Sequence, residues 1–142
     1  MTEFKASAST EINASAESIW EVLTSPEKIA IYLYGTQTET DWQAGSPIKF
    51  TGNYNGTEYH DKGKVLENNP HKLLKYSYWS SMSRTEDKPE NYFIVSYILE
   101  VSSSKNIKLT WLQTNMSSTK SVEHTEQGLP SMLNKIKELA EA

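Results

Sequence analysis

Leu129-Pro130-Ser131-Met132-Leu133-Asn134-Lys135-Ile136-Lys137-Glu138-Leu139-Ala140 is the stretch whose reading decides the fold. Leu129, Met132, Leu133, Ile136, Leu139 and Ala140 recur at intervals of three and four, while Asn134, Lys135, Lys137 and Glu138 fill the gaps. That spacing predicts a helix with one apolar stripe. Pro130 lacks a backbone donor, so a bend near 128–130, or a helix that starts there, is expected. Such a helix needs a surface to lie on.

Working outward, most of the preceding chain alternates with period two. Phe4, Ala6, Ala8, Thr10 and Ile12 alternate with polar residues and predict a strand with one buried face. Ser15 is a capping residue for a helix carrying Ile19, Trp20, Val22 and Leu23. Ser25-Pro26 repeats the signal, a capping serine with proline at the first helical position, and opens a second short helix through about Tyr32. A strand over 36–40 follows. Ile48, Phe50, Gly52 and Tyr54 then alternate up to Asn55-Gly56, a strong hairpin signal. The return strand places Tyr59, Asp61, Gly63 and Val65 on one face. Leu74, Tyr76 and Tyr78 share a face of the next strand, and residues 80–90 form a polar loop at a rim. Phe93, Val95, Tyr97, Leu99 and Val101, then Ile107, Leu109, Trp111 and Gln113, complete the strands. The order is strand, two helices, six strands, long helix, expected as one domain over 1–142. An α+β architecture results, a curved antiparallel sheet of about seven strands around the C-terminal helix.

Composition narrows the function classes. The 142 residues include no cysteine, so disulfides, thiol catalysis and cysteine-ligated metal are excluded. A formal charge of −4 and a single arginine, Arg84, argue against nucleic acid as a partner. No apolar run is long enough to span a membrane, and the first residues have no basic and apolar leader, so a cytoplasmic, soluble protein is expected. Three glycosylation sequons, at Asn13, Asn55 and Asn115, are read as chance. No Gly-x-Ser-x-Gly elbow and no glycine-rich phosphate loop occurs. His60, His71 and His124 fall on a strand, a turn and the approach to the last helix, and are read as surface residues. His60 and Asp61 are strand neighbours pointing to opposite faces, so neither a metal nor another cofactor is expected.

The residues Ile12-Asn13-Ala14-Ser15-Ala16-Glu17-Ser18-Ile19-Trp20, Ser25-Pro26-Glu27-Lys28-Ile29, Gly63-Lys64-Val65-Leu66-Glu67, Asn69-Pro70 ahead of Leu73-Leu74, Val95-Ser96-Tyr97-Ile98-Leu99-Glu100 and Gly128-Leu129 stand in an informative order. In that order and spacing the chain resembles the START-like, or helix-grip, superfamily (SRPBCC). Within it, the resemblance is to the branch named after the C-terminal domain of the activator of the ninety-kilodalton heat-shock chaperone's ATPase. Ala16 stands where members often have proline, and Leu129 where they often have an aromatic residue. The resemblance implies a cavity between sheet and helix. One cavity design in this superfamily serves lipid carriers, cyclases, hormone receptors and chaperone activators.

Eight tyrosines and four tryptophans stand against three phenylalanines, so most large rings carry a polar tip. The candidate lining for a small hydrophobic or amphipathic molecule is Tyr32 at the mouth, with Phe50, Tyr59, Asp61, Tyr76, Tyr78, Tyr97, Trp111, Gln113, Met132 and Ile136. Asp61 is expected either in water near the sheet end or bonded to Tyr97 or Trp111. The first reading is a non-catalytic binding protein. A second is a protein-binding module, with a partner protein or as a homodimer. A third is a cyclase- or hydrolase-type enzyme using Asp61 and a tyrosine as acid and base.

Overall fold

The computed structural model describes residues 4–81, 83 and 85–142. Residues 1–3 of the expected leaderless start, and Met82 and Arg84 of the polar loop, lie outside the described residues. The chain runs β1 (Phe4–Ile12), α1 (Ala16–Thr24), α2 (Pro26–Tyr32), β2 (Gln37–Glu39), β3 (Pro47–Tyr54), β4 (Thr57–Asn69), β5 (Leu73–Tyr78), a single 3₁₀ turn (Pro89–Asn91), β6 (Phe93–Val101), β7 (Ile107–Met116) and α3 (Thr119–Glu141). The strands form one antiparallel sheet in the order β1-β7-β6-β5-β4-β3-β2. The predicted α+β helix-grip architecture is therefore present.

Local chemistry explains the element ends. Ser15 accepts a hydrogen bond from the backbone N–H of Ser18 at 3.1 Å and starts α1. Ser25 was expected to cap α2 in the same way, but its hydroxyl points to Glu27 Oε2 and makes no cap bond. Pro26 and the last turn of α1 set that helix start instead. Asn55 and Gly56 both have positive φ, 51° and 83°, as a two-residue turn between right-twisted strands requires.

The expectation that α3 begins at 128–130 is corrected: it starts at Thr119, where Ser118 accepts from the N–H of Ser121 at 3.1 Å. Pro130 sits inside this 23-residue helix. Sequence periodicity misses the first turns because they carry few apolar residues, Val122 being the one packed against the core. His124 consequently lies within α3 rather than ahead of it. Leu129, Met132, Leu133, Ile136 and Ala140 are buried. The polar side of α3 reaches the free edge of β1, where Glu126 accepts from Ser7 N–H, Glu141 accepts from Asn13 N–H, and Lys137 donates to Glu11 O. That edge is covered by side chains rather than left open to another strand.

Two glycines shape the concave side. A Cβ on Gly63 would come within 1.6 Å of Ser77 O, so only glycine lets β4 run this close to the β5 backbone. Gly52 faces Tyr59 across β3 and β4, and a Cβ there would lie 2.3 Å from the tyrosine oxygen. The hydroxyl end of the ring therefore lies over the glycine.

Candidate functional site

Between α3 and the sheet lies a cavity of about 430 Å³. Small-molecule sites commonly span roughly 300–1,000 Å³. Its wall is made by alternate residues of β3 to β7, because period-two alternation sends every second side chain to the concave face. Of the predicted set, Phe50, Tyr59, Asp61, Tyr76, Tyr78, Tyr97, Trp111, Gln113 and Met132 all line it.

Two predicted residues do not. Tyr32 was expected at the mouth, but it is buried beneath α1, its hydroxyl donating to Leu23 O at 3.2 Å. Tyr34, two residues on, stands at the mouth instead, 61% exposed, with its hydroxyl 2.8 Å from Ser131 Oγ on α3. The chain leaves the helical register at Leu33 and Tyr34 has φ of 55°, which turns the later ring outward. Ile136 is fully buried in the solid core, one turn beyond the end of the cavity. Sequence reasoning also missed Tyr54, Thr125 and Gly128 at the rim. Thr125, Gly128 and Met132 fall at helical spacing on α3, a signal that was readable had the helix start been placed correctly.

The aromatic wall is continuous. The Phe50 ring centroid lies 5.5 Å from those of Tyr76 and Tyr78, and Tyr76 lies 6.4 Å from Tyr97. Most of its polar tips are already engaged. Thr36 gives its one hydroxyl proton to Leu33 O at 2.7 Å, so Tyr59, 2.6 Å from Thr36 Oγ1, is the donor of that pair. Burial pushes Tyr97 up to about 12, partly offset by Tyr76, Tyr32 and Trp111 beside its oxygen. Tyr32 and Tyr76 are raised well above the ordinary phenol value, first by burial and then by the neighbouring Tyr97.

Asp61 is 6% exposed. Its expected partners, Tyr97 or Trp111, are corrected: Tyr78 donates its hydroxyl to Oδ2, and the backbone N–H of Ser81 donates to Oδ1 at 3.1 Å. The reason is register. Asp61 lies in the first half of β4, beside Tyr78 at the end of β5, where the isolated bridge Lys62 to Trp79 holds the strands together. Described residues at both ends of the following loop are tied to the sheet. Trp79 Nε1 donates to Thr85, Asp87 pairs with Lys62, and Asn115 donates to Glu90 O and Tyr92 O. Burial, then the Asp61 carboxylate, drives the Tyr78 phenol far above its ordinary value. A proton so firmly held suits a structural bond better than an acid–base step.

Gln113 differs from these. It is 7% exposed and lines the cavity, and its carboxamide makes no hydrogen bond among the described residues. The histidines are elsewhere: His60 is exposed beside Glu58, and His71 packs edge-on to Trp20. Among the described residues there is no cluster of acidic or imidazole side chains able to hold a metal, and no helix long and apolar enough to cross a membrane.

Comparison with known proteins agrees with this geometry. The family model described as Activator of Hsp90 ATPase homolog 1-like protein matches residues 13–141. The solution structure of ChR145 from Cytophaga hutchinsonii is 35% identical, with 99% of this chain and 97% of that one covered and a TM-score of 0.84. The Aha1 dimer from Colwellia psychrerythraea is 20% identical over 97% and 96% of the two chains, with a TM-score of 0.76. CalU16 from Micromonospora echinospora is 15% identical over 98% and 85%, with a TM-score of 0.70. These last two share the fold. No curated protein matches. Matched along nearly its whole length, and with the sheet gripping α3, this chain belongs to the Activator of Hsp90 ATPase homolog 1-like family of the START-like helix-grip superfamily.

Proposed function

We propose that this protein binds a small, mostly apolar molecule with one polar end in the cavity between α3 and the sheet, without transforming it. The observation that carries the reading is the space itself, about 430 Å³ walled by rings. A protein that used its tyrosines only to fill its interior would close over them, since interiors pack as densely as organic crystals. Catalysis is the weaker reading because Asp61, the one carboxylate on the wall among the described residues, is occupied by Tyr78 and Ser81. The family name, and the dimer formed by the Colwellia relative, support a second reading in which a partner protein meets the same domain.

A thermal-shift screen with amphipathic and aromatic small molecules tests the first reading, because a ligand of the native state raises Tm. Val95 lies on the cavity wall. Val95→Phe should therefore keep the protein folded and abolish the shift. A panel that leaves Tm unchanged in the parent protein, or a shift that survives Val95→Phe, refutes binding in this cavity.

A further inference from the structure

Gln113 sets the chemistry of the ligand. Its carboxamide has two donors and an acceptor and faces the cavity, so a guest can bond to it directly. Two of the ring tips on the inner wall are held by hydrogen bonds. Tyr59 gives its proton to Thr36, Tyr78 gives its proton to Asp61, and Tyr76, Tyr97 and Trp111 face one another. Gln113 therefore offers a guest a carboxamide, able both to donate and to accept, that has no hydrogen-bond partner among the described residues.

Charge on the wall narrows the guest further. Among the described residues the lining carries one formal charge, Asp61, and no lysine, arginine or histidine. Lys135 meets the rim rather than the wall, its Nζ 5.8 Å from the Tyr34 ring centroid. A carboxylate entering this space meets a like charge at low dielectric and no cation to offset it. Asp61 and Gln113 lie on β4 and β7, three strand spacings apart, or about 14 Å along the sheet. A polar end seated on Gln113 therefore leaves the Tyr78 to Asp61 bond in place.

Resting on the binding reading above, we infer that the cavity selects uncharged amphiphiles whose polar end offers both a hydrogen-bond donor and an acceptor to Gln113, an amide or alcohol, and rejects the corresponding carboxylates. A matched series tests it: octanamide, octanol, octanoate and octylamine, titrated calorimetrically into the parent protein, Gln113→Leu and Asp61→Asn near neutral pH. Octanamide and octanol should bind at least about tenfold more tightly than octanoate. Gln113→Leu should weaken octanamide by about tenfold while leaving Tm close to that of the parent, since no hydrogen bond among the described residues is lost. Asp61→Asn should narrow the gap between octanoate and octanamide. Octanoate binding as well as octanamide, octylamine binding best of the four, or Gln113→Leu leaving octanamide affinity intact would overturn the inference and leave cavity binding standing. Failure of all four to bind would overturn both.

Discussion

The two halves of α3 rest on different material. Toward its C-terminus, Leu133, Ile136 and Ala140 join Ala6, Ile12, Ile19 and Val22 in a closed core of aliphatic side chains. Toward its N-terminus, Thr125, Gly128, Leu129 and Met132 stand over rings and empty space. One helix on one sheet thus makes both a solid and a hollow. Branched aliphatic side chains interdigitate without any polar requirement. Rings with hydroxyl tips must instead satisfy each tip, and the bonds that do so hold the planes apart.

The sharpest way to break the comparison is to truncate one residue in each half. Ile136 is wholly buried, so Ile136→Ala should cost about 3 kcal/mol, within the range for deleting core aliphatics. Met132 already borders the cavity and makes fewer contacts on that side. Met132→Ala should cost roughly half as much. Denaturant melts of both variants give the ratio directly. Equal costs would mean that the helix is supported evenly along its length.

A smaller effect comes from the polar bond at the hollow end. Tyr78→Phe takes from Asp61 its hydroxyl donor and should cost about 2 kcal/mol, the scale of a hydrogen bond to a charged group. Burial of the phenols predicts an alkaline limit to stability. A phenol whose folded-state pKa is raised contributes stability in full below the unfolded value of about 10, and loses it as pH climbs through the folded value. Tyr97, pushed up to about 12 by burial, loses its contribution between those two points, and Tyr78, Tyr76 and Tyr32 add to the decline. Melts at rising pH should show stability falling above about pH 10, less steeply in Tyr78→Phe, which has one buried phenol fewer. A decline that is equally steep in the variant would remove Tyr78 from the explanation.

The contrast between the halves also explains what could be read from the sequence. The apolar stripe of the solid half was legible, because Leu133, Ile136 and Ala140 repeat at helical spacing and Ala6 and Ile12 at strand spacing, although Ile136 was expected at the cavity. Strand faces gave most of the wall for the same reason: Tyr59 and Asp61, Tyr76 and Tyr78, and Trp111 and Gln113 are each two residues apart. What escaped lies mostly at the mouth and the ends of the hollow. The first turns of α3 overhang the cavity and bury little, so they leave no apolar period behind. Tyr34 lies beyond the end of α2, where a positive φ decides its direction and no periodicity applies. Asp61 found Tyr78 rather than Tyr97 because strand ends and a single bridge, not side-chain alternation, settle which tips meet.

The smallest predicted effect sharpens the comparison from the side of the helix. Glycine in an exposed helical position costs up to about 1 kcal/mol relative to alanine. Gly128 is such a position, and a Cβ added there meets nothing within 4 Å. Above the hollow it has room, so Gly128→Ala should raise stability by up to about 1 kcal/mol. Gly128 also borders the mouth, so larger replacements should progressively slow or weaken entry of octanamide while stability stays at or above that of the parent. A Gly128→Phe protein that is stable yet binds octanamide unchanged would place the entrance elsewhere on the cavity wall. Loss of stability in Gly128→Ala would mean that the helix lies closer to the rings than the open space above them allows.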